Sequence, residues 1–163
     1  MSKNNILEAM RELKVFQGFD EDQFQKLAGI ARIVEFSPLS TIFKENEAAA
    51  DVYVIISGQA TLATCAPSVG CRKLMEVHDG DLLGWSAMIG RTRLSDTART
   101  LTPMSAIAIN GEQLLALCTE EPQLGFKFMQ LAAEVLAQRL HATRMQLLDM
   151  TGHRLPEFAL ESD

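Results

Sequence analysis

Apolar and polar residues follow two different periods along this chain, and the period changes twice. Residues 3–14 predict a first helix. Its apolar side chains recur at helical spacing: Ile6, Leu7, Met10 and Leu13. Asp20 is placed to cap a second helix with Gln23 as its capping-box partner, and this helix is predicted to end near residue 28. The chain therefore begins with two short helices.

From residue 31 the pattern changes to short runs of β-branched and aromatic residues, which predict strands. The runs lie at 33–36, 41–43, 51–57, 59–65, 71–77, 99–101 and 105–109. The run at 51–57 gives the strongest strand prediction, and Gly58 ends it. Between the second and third runs, Asn46 is expected in a turn, because Asn tolerates positive φ. Residues 67–70 predict the turn of a hairpin. Many short strands separated by turns indicate an antiparallel sheet that closes into a barrel or packs as a sandwich.

After Asn110 the helical period returns. Asn110 is a suitable cap for a short helix over 111–118, and Pro122 suits the first turn of a long helix that runs to about Met150. Residues 151–163 are acidic and interrupted by Gly and Pro, which predicts a loosely ordered tail. We therefore expect one domain over residues 1–150, with the helical turn and strands at 15–110 and the C-terminal helices at 111–150.

The long helix carries two apolar stripes. The first, predicted to pack on the sheet, consists of Leu124, Phe128, Leu131 and Val135. The second, which we call the seam, consists of Met129, Ala133, Leu136, Leu140, Thr143, Leu147 and Met150. The seam residues are separated by alternating steps of four and three, which is the spacing of a coiled coil. We therefore expect a parallel homodimer joined along the seam. The alternative is a helix whose two stripes cover the same core.

Length, charge and hydropathy limit the class of protein. The chain has 163 residues, 47% of them hydrophobic, which is enough for the core of one domain. Its net charge of −6 argues against a surface that follows nucleic acid, so we expect no DNA partner. No stretch approaches the roughly 20 apolar residues of a membrane span, and the N-terminus lacks a signal-peptide core. We therefore predict a cytoplasmic protein without a membrane partner.

The cysteines and histidines give little indication of a disulfide framework, a metal site or a catalytic site. The three cysteines, an odd number, fit reduced thiols better than a disulfide framework. The alternative is that Cys65 and Cys71 face each other across the predicted hairpin. A metal-dependent enzyme on a cupin-type jelly roll would need clustered histidines and carboxylates. The histidines, however, are isolated at His78, His141 and His153. We therefore predict no metal site and no catalytic residues.

Residues 83–101, LGWSAMIGRTRLSDTARTL, combine features that bind an anion. Gly84 precedes a short apolar helical segment at 85–89, and the start of a short helix exposes unpaired N–H groups. Two arginines and several hydroxyls follow, and these donate to anions. They are Arg91, Arg93, Ser95, Thr97 and Thr100. Alone, the pattern is equally typical of a solvated loop between strands.

Together with three other stretches, this segment resembles the cyclic nucleotide-binding domain family, which includes bacterial catabolite activators, fumarate–nitrate regulators and kinase regulatory subunits. Residues 51–58, DVYVIISG, resemble the family's L-Y-x-I-x-x-G strand. Residues 38–46, PLSTIFKEN, resemble P-x-G-x-x-I-F-x-x-G, and residues 80–84 resemble G-D-x-F-G. Residues 83–101 match the phosphate-binding cassette, F-G-E-L-A-L-L-Y-G-x-P-R-x-A-T-V-R-A-L, without a gap.

The resemblance, which covers about residues 15–150, implies the fold. It is mainly β with flanking helices: an antiparallel jelly roll, or double-stranded β-helix, with N-terminal helices and a long C-terminal helix. It also implies a candidate ligand pocket, formed by Gly84, Trp85, Ser86, Ala87, Arg93, Leu94, Ser95, Asp96 and Thr97. On the long helix it implies a ligand or dimer role for Arg139, Leu140 and Thr143. Thr143 either meets the purine or is a tolerated polar residue of the seam, which we favour.

This cassette departs from the family pattern at three positions. The glutamate that holds the ribose falls on Trp85, the arginine that pairs with the cyclic phosphate falls on Leu94, and a small alanine falls on Asp96. A missing charge partner costs several kcal/mol, and a carboxylate beside a phosphate repels it. Arg93 lies one position before the usual arginine and is predicted to point outward, unless a short shift brings it or Arg91 inward. Trp85 either fills the ribose space or stacks on another ligand.

We therefore predict a non-enzymatic, ligand-sensing regulatory module with weak or no binding of cyclic AMP and an unknown protein effector. Candidate ligands are cyclic AMP, cyclic GMP or another small anion. The alternatives are a true cyclic nucleotide-binding protein and a purely structural dimer. The activators carry a helix-turn-helix after the long helix, and the dozen residues after 151 are too few for one.

Overall fold

The structure is a computed structural model that describes residues 3–151. Five α-helices lie at α1 Lys3–Glu12, α2 Glu21–Gly29, α3 Trp85–Met88, α4 Gly111–Glu120 and α5 Pro122–Thr151, with a 3-10 turn at Lys14–Phe16. Asp20 accepts a hydrogen bond from the N–H of Gln23 and Gln23 reciprocates, so the predicted capping box begins α2. Asn110 caps α4 by accepting from the N–H of Gln113, as its position predicts.

The strands form two four-stranded antiparallel sheets, which together make the predicted jelly roll. The strands are β1 Ala31–Phe36, β2 Thr41–Phe43, β3 Asp51–Ser57, β4 Ala60–Ala66, β5 Gly70–Val77, β6 Leu82–Leu83, β7 Thr97–Thr100 and β8 Met104–Asn110. One sheet has the order β1-β8-β3-β6 and the other β2-β7-β4-β5. Asn46 has φ 69°, which confirms the predicted turn. The short strand β6 was not predicted.

Two hydrophobic clusters hold the strands and helices together. The barrel cluster contains residues from both sheets, among them Ile55, Leu62 and Ala106. The helical cluster lies on the other face of the first sheet, where Val54 and Ile107 pack with residues of the helices. Successive residues of β3 and β8 thus enter different clusters, because side chains alternate between the faces of a strand. The first sheet is therefore covered on both faces.

The long helix α5 packs only part of its length on the rest of the chain. Leu124 and Phe128 of the first stripe are fully buried, whereas Leu131 and Val135 are half-buried. Farther along, the Gln146 amide donates to the backbone oxygens of Lys73 and Leu74 in β5. Among the described residues, the helix extends to Thr151. The rest of the predicted loosely ordered tail, residues 152–163, lies outside the described residues.

The expectation of three reduced thiols was wrong. Cys65 and Cys71 form a disulfide, and Cys118 is a free thiol. The count of cysteines did not reveal this pair, because the bond depends on the register of the hairpin. Strands β4 and β5 place Cys65 directly opposite Cys71, with Cα atoms 4.0 Å apart.

At Gly111, the start of α4 lies very close to α3. A Cβ at this position would lie 2.7 Å from Cβ of Ala87 and 2.9 Å from its carbonyl oxygen. We therefore expect Gly111→Ala to lower the free energy of unfolding by about 1–3 kcal/mol, through overpacking. Denaturant unfolding measures this change. Gly29→Ala is the matched control, since no atom lies within 4 Å of its added Cβ. Equal stability of the two variants would contradict the prediction.

Candidate functional site

The cassette begins at a glycine whose place no other residue fills easily. Gly84 follows β6 with φ 73°, and a Cβ there would lie 2.6 Å from the carbonyl oxygen of Asp51. The short helix α3 comes next, with Ser86, Ala87 and Met88 buried. This matches the apolar helical segment predicted after Gly84, one residue shorter. The chain then turns at Gly90 and reaches β7 at Thr97.

Leu94, where the family pattern has an arginine, is an interior residue. It is only 6% exposed and belongs to the barrel cluster with Leu83 and Ala98. Its backbone is fixed as well, since its N–H donates to the oxygen of Glu47 and its own oxygen accepts from the N–H of Asn46. The position therefore presents an apolar side chain to the barrel interior and no donor to an anion.

Neither Arg91 nor Arg93 enters the barrel. Arg93 is exposed, and its guanidinium donates to the oxygen of Asn46 at 2.6 Å. The outward direction predicted for it is therefore correct. Arg91 is also exposed and lies over the indole of Trp85, 5.8 Å from the ring centroid. This contact is a cation–π interaction on the outside of the cassette.

Side-chain hydroxyls and Trp85 make contacts within the cassette and with neighbouring segments. The Ser86 and Ser95 hydroxyl oxygens are 3.2 Å apart. The Thr97 hydroxyl oxygen accepts from the N–H of Glu45 at 2.9 Å. Trp85 is half-buried against the helical cluster rather than in the barrel. This packing on the helical side is neither of the two roles considered for Trp85, which were to fill the ribose space or to stack on another ligand.

Asp96 of the cassette and Arg139 of α5 influence each other's pKa, and no sequence motif predicted this interaction. Burial raises the pKa of Asp96, while Arg139 of α5 and a hydrogen bond from Trp85 oppose this shift and Glu45 adds to it. Burial likewise lowers the pKa of the Arg139 guanidinium, against the pull of Asp96 and Asp81. No ion pair within 4 Å joins Asp96 to Arg139 in the described part of the chain. The two charges act on each other across a gap.

Arg139 is only partly satisfied by its contacts. One guanidinium nitrogen donates to the oxygen of Leu82 at 3.0 Å, and the other lies 2.6 Å from the sulfur of Met75. Its Nε is buried and has no hydrogen-bond partner among the described residues. Buried polar groups are nearly always paired, so this atom marks a place where an acceptor would be stabilised. The resemblance pointed to Arg139 but not to Met75, whose approach depends on the packing of α5 against β5.

The seam lies largely in solvent. Leu140 is 53% exposed, Leu147 51% and Met150 83%, whereas Leu136 is half-buried. The Thr143 hydroxyl donates to the oxygen of Arg139 within the helix, so it is not directed at the cassette. Met129 and Ala133 are exposed at the other end of the seam. The sequence pattern thus identified an apolar face that residues 3–151 leave largely uncovered.

A cleft of about 720 Å³ lies away from the cassette, between the first helices, the turn before β6 and α5. Its walls include apolar side chains such as Leu13, Ile56 and Val135, and carboxylates such as Glu12 and Glu134. No sequence signal marked this cleft, because its walls come from segments far apart along the chain. Between residues 3 and 151, we find no cluster of three metal-ligating side chains and no helix apolar enough and long enough to cross a membrane.

Comparison with known proteins points to one family. Residues 33–121 match the family model of the cyclic nucleotide-binding domain. A CRP-like cAMP-activated global transcriptional regulator from Mycobacterium tuberculosis is 24% identical over 149 residues, which is 91% of this chain. The chain spans 65% of the length of this curated relative.

Solved structures share the fold. A protein from Geobacter metallireducens, described as a cyclic nucleotide-binding protein, has a TM-score of 0.72 and 26% identity, covering 82% of this chain and 97% of that chain. The regulatory subunit of a cAMP-independent protein kinase A from Trypanosoma cruzi, bound to guanosine, has a TM-score of 0.71 and 18% identity. That match covers 97% of this chain and 53% of the subunit.

The raised pKa of Asp96 predicts a pH dependence of stability. A carboxyl whose pKa is higher in the folded than in the unfolded protein favours folding while protonated, and the contribution is lost as the pH rises through the folded pKa. We therefore expect an NMR titration of Asp96 to show a midpoint above the ordinary value for Asp. We also expect Asp96→Asn to gain stability over the original protein as the pH rises from about 3 to about 7.

Denaturant unfolding at several pH values measures the second effect. Asp149→Asn, which changes an exposed carboxylate of α5, is the control for a general loss of negative charge. A midpoint for Asp96 at or below the ordinary value would overturn the expectation.

Proposed function

We propose that this chain, which belongs to the cyclic nucleotide-binding domain family, is a non-enzymatic regulatory module whose cassette binds cyclic AMP weakly or not at all. The burial of Leu94 in the barrel cluster is the observation that supports this most directly. A phosphate at that place would meet an apolar side chain where the family pattern supplies a guanidinium. Removing one partner of a hydrogen-bonded charge pair costs roughly 2–5 kcal/mol, which is about 30-fold to several thousand-fold in affinity.

Asp96 adds to this cost. Its carboxyl is half-buried, and burial already raises its pKa, so its charge is poorly solvated. A second negative charge close by would repel it more strongly than in water, because the local dielectric is low. An anionic ligand would therefore require either protonation of Asp96 or movement of the loop before β7.

A second candidate function is true cyclic nucleotide binding with an arginine supplied by α5. The buried Nε of Arg139, which has no partner in the described part of the chain, favours this candidate. In this arrangement the guanidinium pairs with the phosphate in place of the residue at position 94. The Mycobacterium tuberculosis relative is named as cAMP-activated, which is consistent with a nucleotide ligand. Under this candidate Arg139→Gln abolishes binding, whereas under the first candidate there is no binding to lose.

The proposed weak or absent binding predicts the affinity for cyclic AMP. We expect isothermal titration calorimetry to give no saturable binding at low micromolar concentration. We expect the triple variant Trp85→Glu, Leu94→Arg, Asp96→Ala to acquire measurable affinity, since it restores the three residues of the family pattern on an existing backbone cradle. Cyclic GMP and guanosine complete the panel, because guanosine lacks the phosphate.

The matched control is the double variant Trp85→Glu, Asp96→Ala, which leaves the apolar Leu94 in place. It should bind more weakly than the triple variant. A low micromolar dissociation constant of the unaltered protein for cyclic AMP would contradict the proposal, and its loss in Arg139→Gln would establish the second candidate instead.

We further propose that the chain is a parallel two-fold homodimer joined along the seam. Leaving a leucine side chain in water costs roughly 1.5–3 kcal/mol relative to full burial, and Leu140 and Leu147 are each about half exposed. A second copy covers both with the same surface, because a two-fold interface is complementary to itself. Ala133 and Thr143 are small enough to let two helices approach closely.

We expect Leu140→Glu to convert this dimer to a monomer, because two carboxylates would meet in an apolar interface. Light scattering at tens of micromolar measures the mass. Met145→Glu is the matched control: Met145 is 46% exposed on the same helix but lies off the seam. A monomeric original protein, or an equal effect of the two variants, would refute the seam.

The remaining parts of the proposal concern the binding partners and the cellular location. We propose that the module works in the cytoplasm and passes its signal to a protein effector. With a net charge of −6 we expect no DNA binding by residues 1–163 themselves. A purely structural dimer is the alternative, and it predicts that no member of the ligand panel changes the thermal stability.

A further inference from the structure

The disulfide lies at the tip of a hairpin. Cys65 is near the end of β4 and Cys71 near the start of β5, and only five residues separate them along the chain. Cys71 is exposed, as are the turn residues 66–70, whereas Cys65 is half-buried. Thiol–disulfide exchange requires a thiolate to approach one sulfur, and the Cys71 side of this bond is open to solvent. A small thiol in solution therefore reaches it without unfolding the protein.

The hairpin does not need the disulfide to keep its register. Farther from the tip, Ala60 pairs with Val77 and Leu62 with Met75. Ala60, Leu62 and Val77 are buried in the barrel cluster, so a slip of one residue would turn them to solvent. A disulfide that closes such a short loop removes less entropy from the unfolded chain than one that closes a long loop. We therefore expect the oxidised and the reduced protein to keep the same fold.

The half-buried cysteine is connected to the cassette through Glu45. The Cys65 N–H donates to a carboxylate oxygen of Glu45 at 2.7 Å. The N–H of Glu45 in turn donates to the Thr97 hydroxyl oxygen, which lies 3.7 Å from the Cys65 sulfur. Thr97 is the first residue of β7 and directly follows Asp96. A change in the position of the Cys65 sulfur or backbone therefore acts on the residue next to the charged part of the cassette.

We propose that Cys65 and Cys71 form a reversible thiol–disulfide site that alters the cassette through Glu45 and Thr97. This proposal does not depend on whether the cassette binds a cyclic nucleotide. Its co-reactants are dithiols in one direction and dithiol-derived disulfides in the other. No motif in the sequence singles out the pair, since it depends on the strand register.

The reaction transfers two electrons and two protons. A thiolate of the dithiol attacks the exposed Cys71 sulfur, the bond between the two cysteines breaks, and Cys65 leaves as a thiolate that takes up a proton. The second thiol of the reductant, as its thiolate, then attacks the mixed disulfide. Cys71 is released and protonated, and the reductant becomes a disulfide. The reverse sequence reforms the bond between Cys65 and Cys71.

A thiol count tests the chemistry. The protein is equilibrated under native conditions with mixtures of reduced and oxidised dithiothreitol, quenched in acid, and alkylated in denaturant. Mass spectrometry should count one alkylated thiol, Cys118, under oxidising conditions and all three cysteines under reducing conditions. Circular dichroism should remain native in both. A disulfide that resists reduction until the protein unfolds, or does not reform in the folded protein, would overturn the proposal.

Tryptophan fluorescence tests the connection to the cassette, because Trp85 is the single tryptophan of the chain. We expect its emission maximum to shift when the disulfide is reduced, and to stay constant in the double variant Cys65→Ser, Cys71→Ser. Cys118→Ser is the matched control and should keep the full shift. Glu45→Ala, which removes the acceptor of the Cys65 N–H, should keep the change from one to three thiols but show a smaller shift. No shift after verified reduction, or an undiminished shift in Glu45→Ala, would refute the connection.

Discussion

The burial of β8 on both faces determines much of this structure. The strand lies between β1 and β3, so its backbone is hydrogen-bonded on both sides. The side chains from Ala106 to Ile109 are fully buried, with Ala106 in the barrel cluster and Ile107 and Ile109 in the helical cluster. Since β8 leads directly into α4, its position also determines where α4 begins. Gly111, the first residue of α4, touches Ala87, and the cassette helix α3 is held in place in this way.

The cassette that results has a close backbone contact at its start and no charge at its buried position 94. Gly84 keeps the close approach to Asp51 that positions α3, and Leu94 occupies the interior position without a charge. Positive charge comes instead from Arg139 on α5, and negative charge from Asp96 on the loop. Both pKa values are shifted toward the neutral form, mainly by burial. The site therefore has two opposite charges that are each partly buried and that form no direct ion pair in the described part of the chain.

Sequence patterns predicted the parts of the fold that depend on local physics. The capping box at Asp20, the turn at Asn46 and the cap at Asn110 follow from single side chains that bond to nearby backbone, or from a residue that tolerates positive φ. The two stripes of α5 were also visible, since burial at Leu124 and exposure at Leu140 follow helical spacing. The cassette was recognised only by resemblance.

What the sequence did not predict depends on the register of strands or on long-range packing. The sequence offered the pairing of Cys65 with Cys71 only as an alternative, because the bond depends on the hairpin register that places the two residues opposite each other. The electrostatic influence of Arg139 on Asp96 acts between a helix and a loop from different parts of the chain. The strand β6 has only two residues, which is too short for a period to appear.

The attachment of α5 to the edge of the barrel has a mechanical consequence. Arg139 bonds to Leu82 in β6, and Gln146 bonds to Lys73 and Leu74 in β5, so the helix is held at two points seven residues apart. Two points fix the direction of a rod as well as its position, and this rod of 30 residues is roughly 45 Å long. The first turns of the same helix are buried in the helical cluster at Leu124 and Phe128. A movement of the β5–β6 edge relative to that cluster would therefore bend or rotate the helix and change the direction of the seam that it carries.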